Sequence, residues 1–300
     1  MATLYTEQSK NVGRTWLLMG VFLVIIVAIG WFISYYYNNE GILVVAIIFS
    51  LIMNGASFWY SDKIALRMAA ARETTREENP LLFQVTENLA ITAGLPMPKL
   101  YIIDDPSPNA FATGRDKNHA SIAVTSGLLG MMDKNELSGV LAHEMSHIGN
   151  RDILLQSVVV VLVGFIAILA HIFTRSNIFF GGRRSGDREG GGAGILVLIG
   201  VIFIILSPIA AQLIQLAISR KREFLADTDG ALLTRYPEGL ASALEKIERY
   251  GAPLIHANEA TAHLYIGNPF GEKKTSGLAK LFMTHPPTEE RIAILRGMES

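Results

Sequence analysis

Two histidines lie four residues apart in the segment VLAHEMSHIGNRD (residues 140–152), and a glutamate directly follows the first of them. On a helix, side chains at this spacing point to the same side, about 40° apart around the axis. His143 and His147 can therefore direct two imidazoles at one metal ion, while Glu144 lies beside it as a base. The alternative is a pair of ordinary helical histidines with an accidental glutamate between them. The segment thus favours metal-dependent hydrolysis.

A catalytic zinc site needs a third protein ligand and an open position for water. The chain has no cysteine, so the third ligand must be His, Asp or Glu. The segment SRKREFLADTDG (219–230) places Glu223 and Asp227 on one helix face. One carboxylate could bind the metal while the other orients a ligating imidazole, and the spacing does not decide between them. Alternatively, both could pair with Arg220 or Arg222 on a solvated helix.

The elements around the histidine pair follow from the local pattern. Asp133 and Glu136 have the spacing of a capping box that starts a helix. The apolar stripe of this helix recurs at helical spacing and consists of Leu137, Leu141, Met145 and Ile148. Upstream, three segments have the composition of strands, namely 99–105, 109–114 and 119–124. The sequence therefore predicts a small sheet between helices.

The composition favours a membrane protein. Half of the residues are hydrophobic and only 18% are charged, where soluble chains carry about a quarter. Four apolar runs are long enough to span a bilayer, at 16–35, 41–60, about 154–173 and 195–217. Runs three and four contain polar residues, so they could instead pack against protein. The net charge of −1 and the absence of a Gly-x-x-x-x-Gly-Lys motif argue against nucleic acid and nucleotide as partners.

Basic residues predict the orientation, because they concentrate on the cytoplasmic side of a membrane. They flank the first two runs on their outer ends, as Lys10, Arg14, Lys63, Arg67, Arg72 and Arg76. We therefore expect a transmembrane hairpin at 1–60, a cytoplasmic segment at 61–153, a second hairpin at 154–217 and a second cytoplasmic segment at 218–300. The Gly-rich connection 175–194 carries four arginines and disagrees with this orientation, unless the second hairpin does not cross.

In their order and spacing the motifs resemble the HtpX family of membrane-integrated zinc metalloproteases, which are related to the CAAX prenyl proteases. The resemblance rests on the segments SDKIAL, SPNAFATGR, ELSGVLAHEMSHIGNRD, REFLADTDGA and THPPTEERI. It implies an α+β membrane protein with a zincin-like catalytic domain, built of helices and a small sheet, and two transmembrane helical hairpins. It also implies one zinc ion per chain and a place in the bacterial inner membrane, with roles in stress response and quality control.

The resemblance assigns roles to the candidate residues. It makes His143, His147 and Glu223 the zinc ligands, Glu144 the catalytic glutamate and Asp227 the carboxylate that orients a ligand. It further implies that one strand lines the cleft and pairs with an extended substrate. The residues of this strand are Asn109, Ala110, Phe111, Ala112 and Thr113.

His285 resembles a family histidine near the zinc. It could donate a hydrogen bond to the oxyanion of the reaction, or plug the metal in a resting state. A plain turn histidine before Pro286 and Pro287 is the alternative.

The expected function is a zinc endopeptidase that cleaves misfolded or damaged membrane proteins, or unfolded polypeptides, at the bilayer. About six residues separate His147 from the third apolar run, which tethers the site close to the membrane. Two alternatives remain. A non-enzymatic scaffold or transporter would use the metal structurally, if at all. A CAAX-type protease would cleave prenylated peptides, although it would be expected to have more than four apolar runs.

Overall fold

Two long apolar helices form an N-terminal hairpin in the computed structural model, which describes residues 4–180, 220–258, 260–271 and 286–298. Helix α1 spans Leu4–Tyr37 and helix α2 spans Glu40–Met68, with Asn39 capping α2 through the backbone N–H of Gly41. Both helices are long and apolar enough to cross a membrane. Many of their large apolar side chains are exposed, as expected for a surface that faces lipid. Two apolar helices thus lie where the sequence predicts the first hairpin, with the second helix ending at Met68; that they cross a membrane stays a prediction.

The third apolar run forms helix α6 (Asp152–Phe180), whose first half packs against both helices of the hairpin. Phe22 of α1 and Phe49 of α2 both contact Phe165 of α6. Residues 175–180, predicted to begin a Gly-rich connection, instead continue this helix. The rest of that connection and the fourth run lie outside the described residues, so the second hairpin stays a prediction.

Four strands form one mixed sheet with the order β1-β2-β4-β3. Strands β2 and β4 are parallel, and the other two pairs are antiparallel. Strand β3 forms one edge, and its residue Ala112 lies opposite Ile122 of β4. The three predicted strands are confirmed, while β1 was not predicted because it comprises only two exposed, charged residues. The strand bounds are Arg72–Glu73 for β1, Lys99–Ile103 for β2, Ala110–Gly114 for β3 and Ala120–Thr125 for β4.

Helix α5 (Lys134–Gly149) carries the histidine pair and lies in the main core of the domain that follows the hairpin. Its capping box is formed as predicted, since Asp133 accepts from the N–H of Glu136 and Glu136 accepts from the N–H of Asp133. All four residues of its predicted apolar stripe are buried in the main core. The helices that complete this domain are α3 (Pro80–Ala93), α4 (Ser126–Met131), α7 (Arg220–Thr234), α8 (Pro237–Tyr250) and α9 (Thr288–Gly297).

Two glycines allow neighbouring helices to approach α5 closely. A Cβ at Gly139 would lie 2.5 Å from the backbone nitrogen of Leu240 in α8. A Cβ at Gly230 of α7 would lie 3.0 Å from the backbone nitrogen of His143. Helix α7 therefore packs backbone to backbone against α5. Glu223, about two turns before Gly230, is carried to the histidines by this contact.

Candidate metal centre

Three side chains that could hold a metal ion, from two distant segments, converge in the interior of the domain that follows the hairpin. The Nε2 atoms of His143 and His147 lie 3.2 Å apart. Glu223 places one carboxylate oxygen 3.8 Å from the first of these nitrogens and the other 3.7 Å from the second. Within the parts of the chain that the structure describes, these three residues are the one such cluster with the spacing of a metal site.

The donor set and its spacing fit a zinc ion. In a tetrahedral site with bonds of 2.0–2.1 Å, neighbouring ligand atoms lie about 3.3 Å apart. The two nitrogens are close to that separation at 3.2 Å. Each oxygen of Glu223 lies 3.7–3.8 Å from a different nitrogen, and one ligand atom from each of the three residues lies within 4.8 Å of the other two, so the carboxylate has to move inward to bind the same ion. Two imidazoles and one carboxylate are also the ligands that zinc hydrolases commonly use.

Asp227 orients the first histidine. Its Oδ1 lies 2.9 Å from Nδ1 of His143, which fixes the ring with Nε2 turned towards the other ligands. The buried guanidinium of Arg291, from α9, binds both oxygens of Asp227 at 2.8 and 2.6 Å. Burial alone would raise the pKa of Asp227, but the charge of Arg291 outweighs it and lowers the pKa to about 2. Asp227 is therefore an ionised carboxylate already committed to Arg291 and His143.

Asp152, the first residue of α6, orients the second histidine. Its Oδ2 lies 3.0 Å from Nδ1 of His147, which leaves Nε2 free to face Glu223. Burial favours the neutral imidazole, but the hydrogen bond to Asp152 and the charge of Glu223 raise the pKa of His147 to about 9. The chain reaches this position by turning sharply at Arg151, whose φ of 58° lies in the left-handed region. Helices α5 and α6 consequently meet at 86°.

The arginines beside Glu223 do not form a solvated ion-pair face with it. Glu223 and Asp227 are each only 1% exposed. Arg222 turns inward as well, and its Nη1 lies 3.5 Å from Asp152. Arg220 and Lys221 at the start of α7 are exposed, but Arg222, Glu223 and Asp227 are buried in the domain, contrary to the solvated alternative raised by the sequence.

Glu144 is buried between α5 and the sheet. Burial raises the pKa of this carboxyl to about 7, although a hydrogen bond from the backbone N–H of Ala112 on β3 acts in the opposite direction. A carboxyl group that titrates near neutrality can both accept and return a proton at the working pH of a cell. Its position and pKa suit a general base.

Strand β3, predicted to bind substrate, is covered by other parts of the chain. The carbonyl of Ala110 accepts from the N–H of Ile266 at 3.0 Å, and the side chain of Asn109 bonds both backbone groups of Gly267. The hydroxyl of Ser157 contacts Thr113 at 2.7 Å. Phe111 packs edge-on against Tyr265, and Ala112 meets Glu144. His285 lies outside the described residues, so its role stays a prediction.

Comparisons with known proteins identify the family. Residues 76–299 match the profile described as "Peptidase family M48". A "Protease HtpX homolog" from Caldanaerobacter subterraneus subsp. tengcongensis is 48% identical over 99% of this chain and 98% of its own length. Another from Dictyoglomus thermophilum is 44% identical, over 99% of this chain and 95% of its own. The chain belongs to the HtpX family of M48 peptidases.

The predicted family is thus confirmed, and with it an α+β membrane protein of the HtpX type. Its two apolar N-terminal helices precede the part matched by the M48 profile. Among solved structures, "Crystal Structure of S. mikatae Ste24p" matches with a TM-score of 0.48 and 18% identity, over 97% of this chain. This HtpX-family chain spans 66% of the length of that chain.

Three residues that support the candidate site were not found from the sequence. Local spacing assigns no role to Arg291 in the terminal segment or to Asp152 after the second histidine. Asn11, which donates to Asp152 at 2.6 Å, lies 141 residues away from it. The one local signal was Asp152 itself, which closes the segment that contains both histidines.

Replacing Arg291 by alanine should destabilise this HtpX-family protein strongly. The substitution leaves Asp227 as a buried carboxylate without its cation, and breaking a buried pair in this way costs about 3–5 kcal/mol. Arg291→Lys should rescue only part of the loss, because an ammonium cannot reproduce the two-pronged contact. The free energy of unfolding, measured by denaturant titration in detergent, tests this.

Arg296→Ala is the matched control on the same helix. Arg296 also pairs with two carboxylates, Glu238 and Glu245, but at the exposed surface. Its removal should change stability little, because exposed ion pairs contribute little. Equal effects of the two substitutions would mean that the Arg291–Asp227 pair is not the buried support described above.

Proposed function

We propose that the chain is a zinc-dependent endopeptidase of the membrane, in which His143, His147 and Glu223 hold one zinc ion. The observation that supports it most is the convergence of these three side chains, from α5 and α7, to within 3.8 Å of one another. Bound there, zinc supplies a Lewis acid that polarises the scissile carbonyl and lowers the pKa of a water molecule.

The protein's own residues supply proton transfer and orientation. Glu144 accepts a proton from the attacking water as the water oxygen bonds to the carbonyl carbon. It then gives this proton to the amine nitrogen when the C–N bond of the substrate breaks. Asp227 and Asp152 hold the two imidazoles in place through their Nδ1–H groups. No covalent bond between enzyme and substrate is needed, which agrees with a chain that has no cysteine.

Strand β3, from Asn109 to Thr113, is the proposed partner for an extended substrate. The backbone N–H and C=O groups of a substrate strand would have to form hydrogen bonds with the edge of β3 that does not face β4. Ile266 already occupies the carbonyl of Ala110 on that edge. Substrate binding by this route therefore requires the segment around Ile266 to move away. His285 remains a proposed donor to the oxyanion.

The proposed substrates are misfolded or damaged membrane proteins of the bacterial inner membrane, cleaved on its cytoplasmic side. This proposal is supported by the position of the candidate metal centre, which lies at the ends of apolar helices. Asp152, which binds His147, is the first residue of α6 and also contacts α1. Chains that leave or lie on the bilayer would reach such a site before chains in bulk solution.

The test uses the full-length protein, purified in detergent, with casein and with a membrane-protein substrate in liposomes. Cleavage of both is expected, together with loss of cleavage on chelation and recovery when zinc is restored. Undiminished cleavage by protein that elemental analysis finds free of metal would refute the mechanism. Bound zinc without any cleavage would favour the scaffold or transporter alternative. A prenylated peptide is assayed in parallel, and cleavage confined to it would favour the CAAX-type alternative.

A further inference from the structure

Asn11 is a buried polar residue near the N-terminal end of the first apolar helix. It is 1% exposed, and Thr15, one turn further along the same face, is equally buried. Trp16 and Leu17, on the opposite face, are more than half exposed. At this end of α1 the exposed side carries Lys10 and Arg14 together with these two apolar residues, while the polar side chains of Asn11 and Thr15 face inward. The inward side must therefore meet polar groups of the catalytic domain.

The side-chain amide of Asn11 lies where the ligand-bearing elements meet. Its Nδ2 donates to Oδ1 of Asp152 at 2.6 Å and to the carbonyl of Asn150 at 3.2 Å. Its Oδ1 lies 3.5 Å from Nη1 of Arg222, the residue before Glu223. One amide therefore contacts the end of α5, the start of α6 and the start of α7.

These contacts connect α1 to the second histidine through one carboxylate. Asp152 uses Oδ2 for His147 and Oδ1 for Asn11, so the two hydrogen bonds fix the plane of the carboxylate. A carboxylate held on both oxygens presents a fixed acceptor to the imidazole, and so sets the direction of the ligating Nε2. Without the amide, the contact that Oδ1 keeps among the residues the structure describes is the longer one to Arg222 at 3.5 Å.

Resting on the proposed zinc site, we propose that Asn11 is a positioning residue of the metal centre. The first membrane helix is then part of the site that holds the metal, and not only an anchor. This adds to the catalytic machinery an element that precedes the part of the chain matched by the M48 profile, which begins at residue 76. Zinc affinity should consequently depend on how α1 docks against the start of α6.

The test compares Asn11→Ala with Thr15→Val in the full-length protein in detergent. Thr15 is equally buried, and its hydroxyl donates only to the carbonyl of Asn11 in the same helix. Zinc affinity is measured by competition with a chelating dye. Asp152→Ala should weaken it about 10–100-fold, as is typical for a partner of a ligating histidine. Asn11→Ala should weaken it in the same direction, by up to about tenfold, and Thr15→Val should leave it unchanged.

A double substitution distinguishes positioning from a general loss of packing. If Asn11 acts through Asp152, Asn11→Ala should have no further effect on zinc affinity in the Asp152→Ala background. The single variant should also lower kcat with little change in KM, and alter the visible spectrum of the Co²⁺-substituted protein. Asn11→Ser provides a second variant with a smaller packing defect if the alanine variant does not fold.

Zinc affinity of both Asn11 variants within twofold of wild type would overturn the inference. A full additive effect in the Asp152→Ala background would overturn it too, because Asn11 would then act by another route. These outcomes are distinct from failure of the proposed function. In that case the wild-type protein itself would bind zinc without cleaving casein, whatever the effect of Asn11→Ala on zinc affinity.

Discussion

Glu144→Gln should retain zinc and the native fold while losing cleavage. Glutamine has nearly the same shape but cannot take a proton from the attacking water. Positioned general bases contribute about 10²–10⁴-fold to rate, so kcat should fall by that factor. Glu144 is buried, and burial raises its pKa to about 7. The neutral amide of glutamine should therefore fit the site without disturbing it. Casein cleavage and elemental analysis on the same preparation measure both properties.

Glu136→Gln is the matched control, because Glu136 lies on the same helix and is also a buried glutamate. It belongs to the capping box and binds Lys246 at 2.6 Å, so its loss should affect stability and leave zinc and turnover per folded molecule near wild type. Full activity of Glu144→Gln would end the general-base mechanism. Loss of zinc from that variant would instead show that Glu144 is a ligand.

Glu223→Ala should abolish stoichiometric zinc binding. It removes one of three ligands and the negative charge that lies 3.7–3.8 Å from the two imidazole nitrogens. Removing a residue that only hydrogen-bonds to a metal ligand typically weakens metal affinity about 10–100-fold. The loss of zinc affinity in Glu223→Ala should be larger, because a bond to the metal itself is removed. Elemental analysis after dialysis against a weak chelator should find one zinc per wild-type chain and almost none in the variant.

Asp229→Asn is the matched control on the same helix. Asp229 accepts a hydrogen bond from Asn150 at 3.0 Å, and asparagine can preserve that contact. This variant should keep its zinc. Retention of a full equivalent by Glu223→Ala would mean that another group is the third ligand. Asp227 would be the obvious candidate, and it would have to leave Arg291 to do so.

The third ligand illustrates how far a single sequence can lead. Helical spacing put Glu223 and Asp227 on one face and could not separate them, since both are carboxylates of the same helix. What separates them in the structure is Arg291, more than sixty residues away, which engages Asp227 and leaves Glu223 to face the histidines. Without that tertiary partner, only the family resemblance could choose between the two.

Local patterns predicted the elements that carry the site, because their causes are local. The capping box at Asp133, the apolar stripe of α5 and strands β2 to β4 depend on residues close in sequence, and all are formed. The residues that hydrogen-bond to the histidines or hold their partners depend instead on contacts between segments far apart in the sequence. Asn11 reaches Asp152 across 141 residues, and only the folded packing of α1 against α6 brings them together. The cover over β3 by the segment around Ile266 is likewise a tertiary feature.

The central claim is that one zinc ion is held jointly by α5 and α7. An anomalous difference map, collected at the zinc edge from crystals of the full-length protein in a lipid phase, tests it most directly. One peak per chain is expected, within about 2.0–2.2 Å of Nε2 of His143, Nε2 of His147 and a carboxylate oxygen of Glu223. A zinc peak elsewhere in the chain, or one bound by the two histidines with Glu223 turned away, would contradict it.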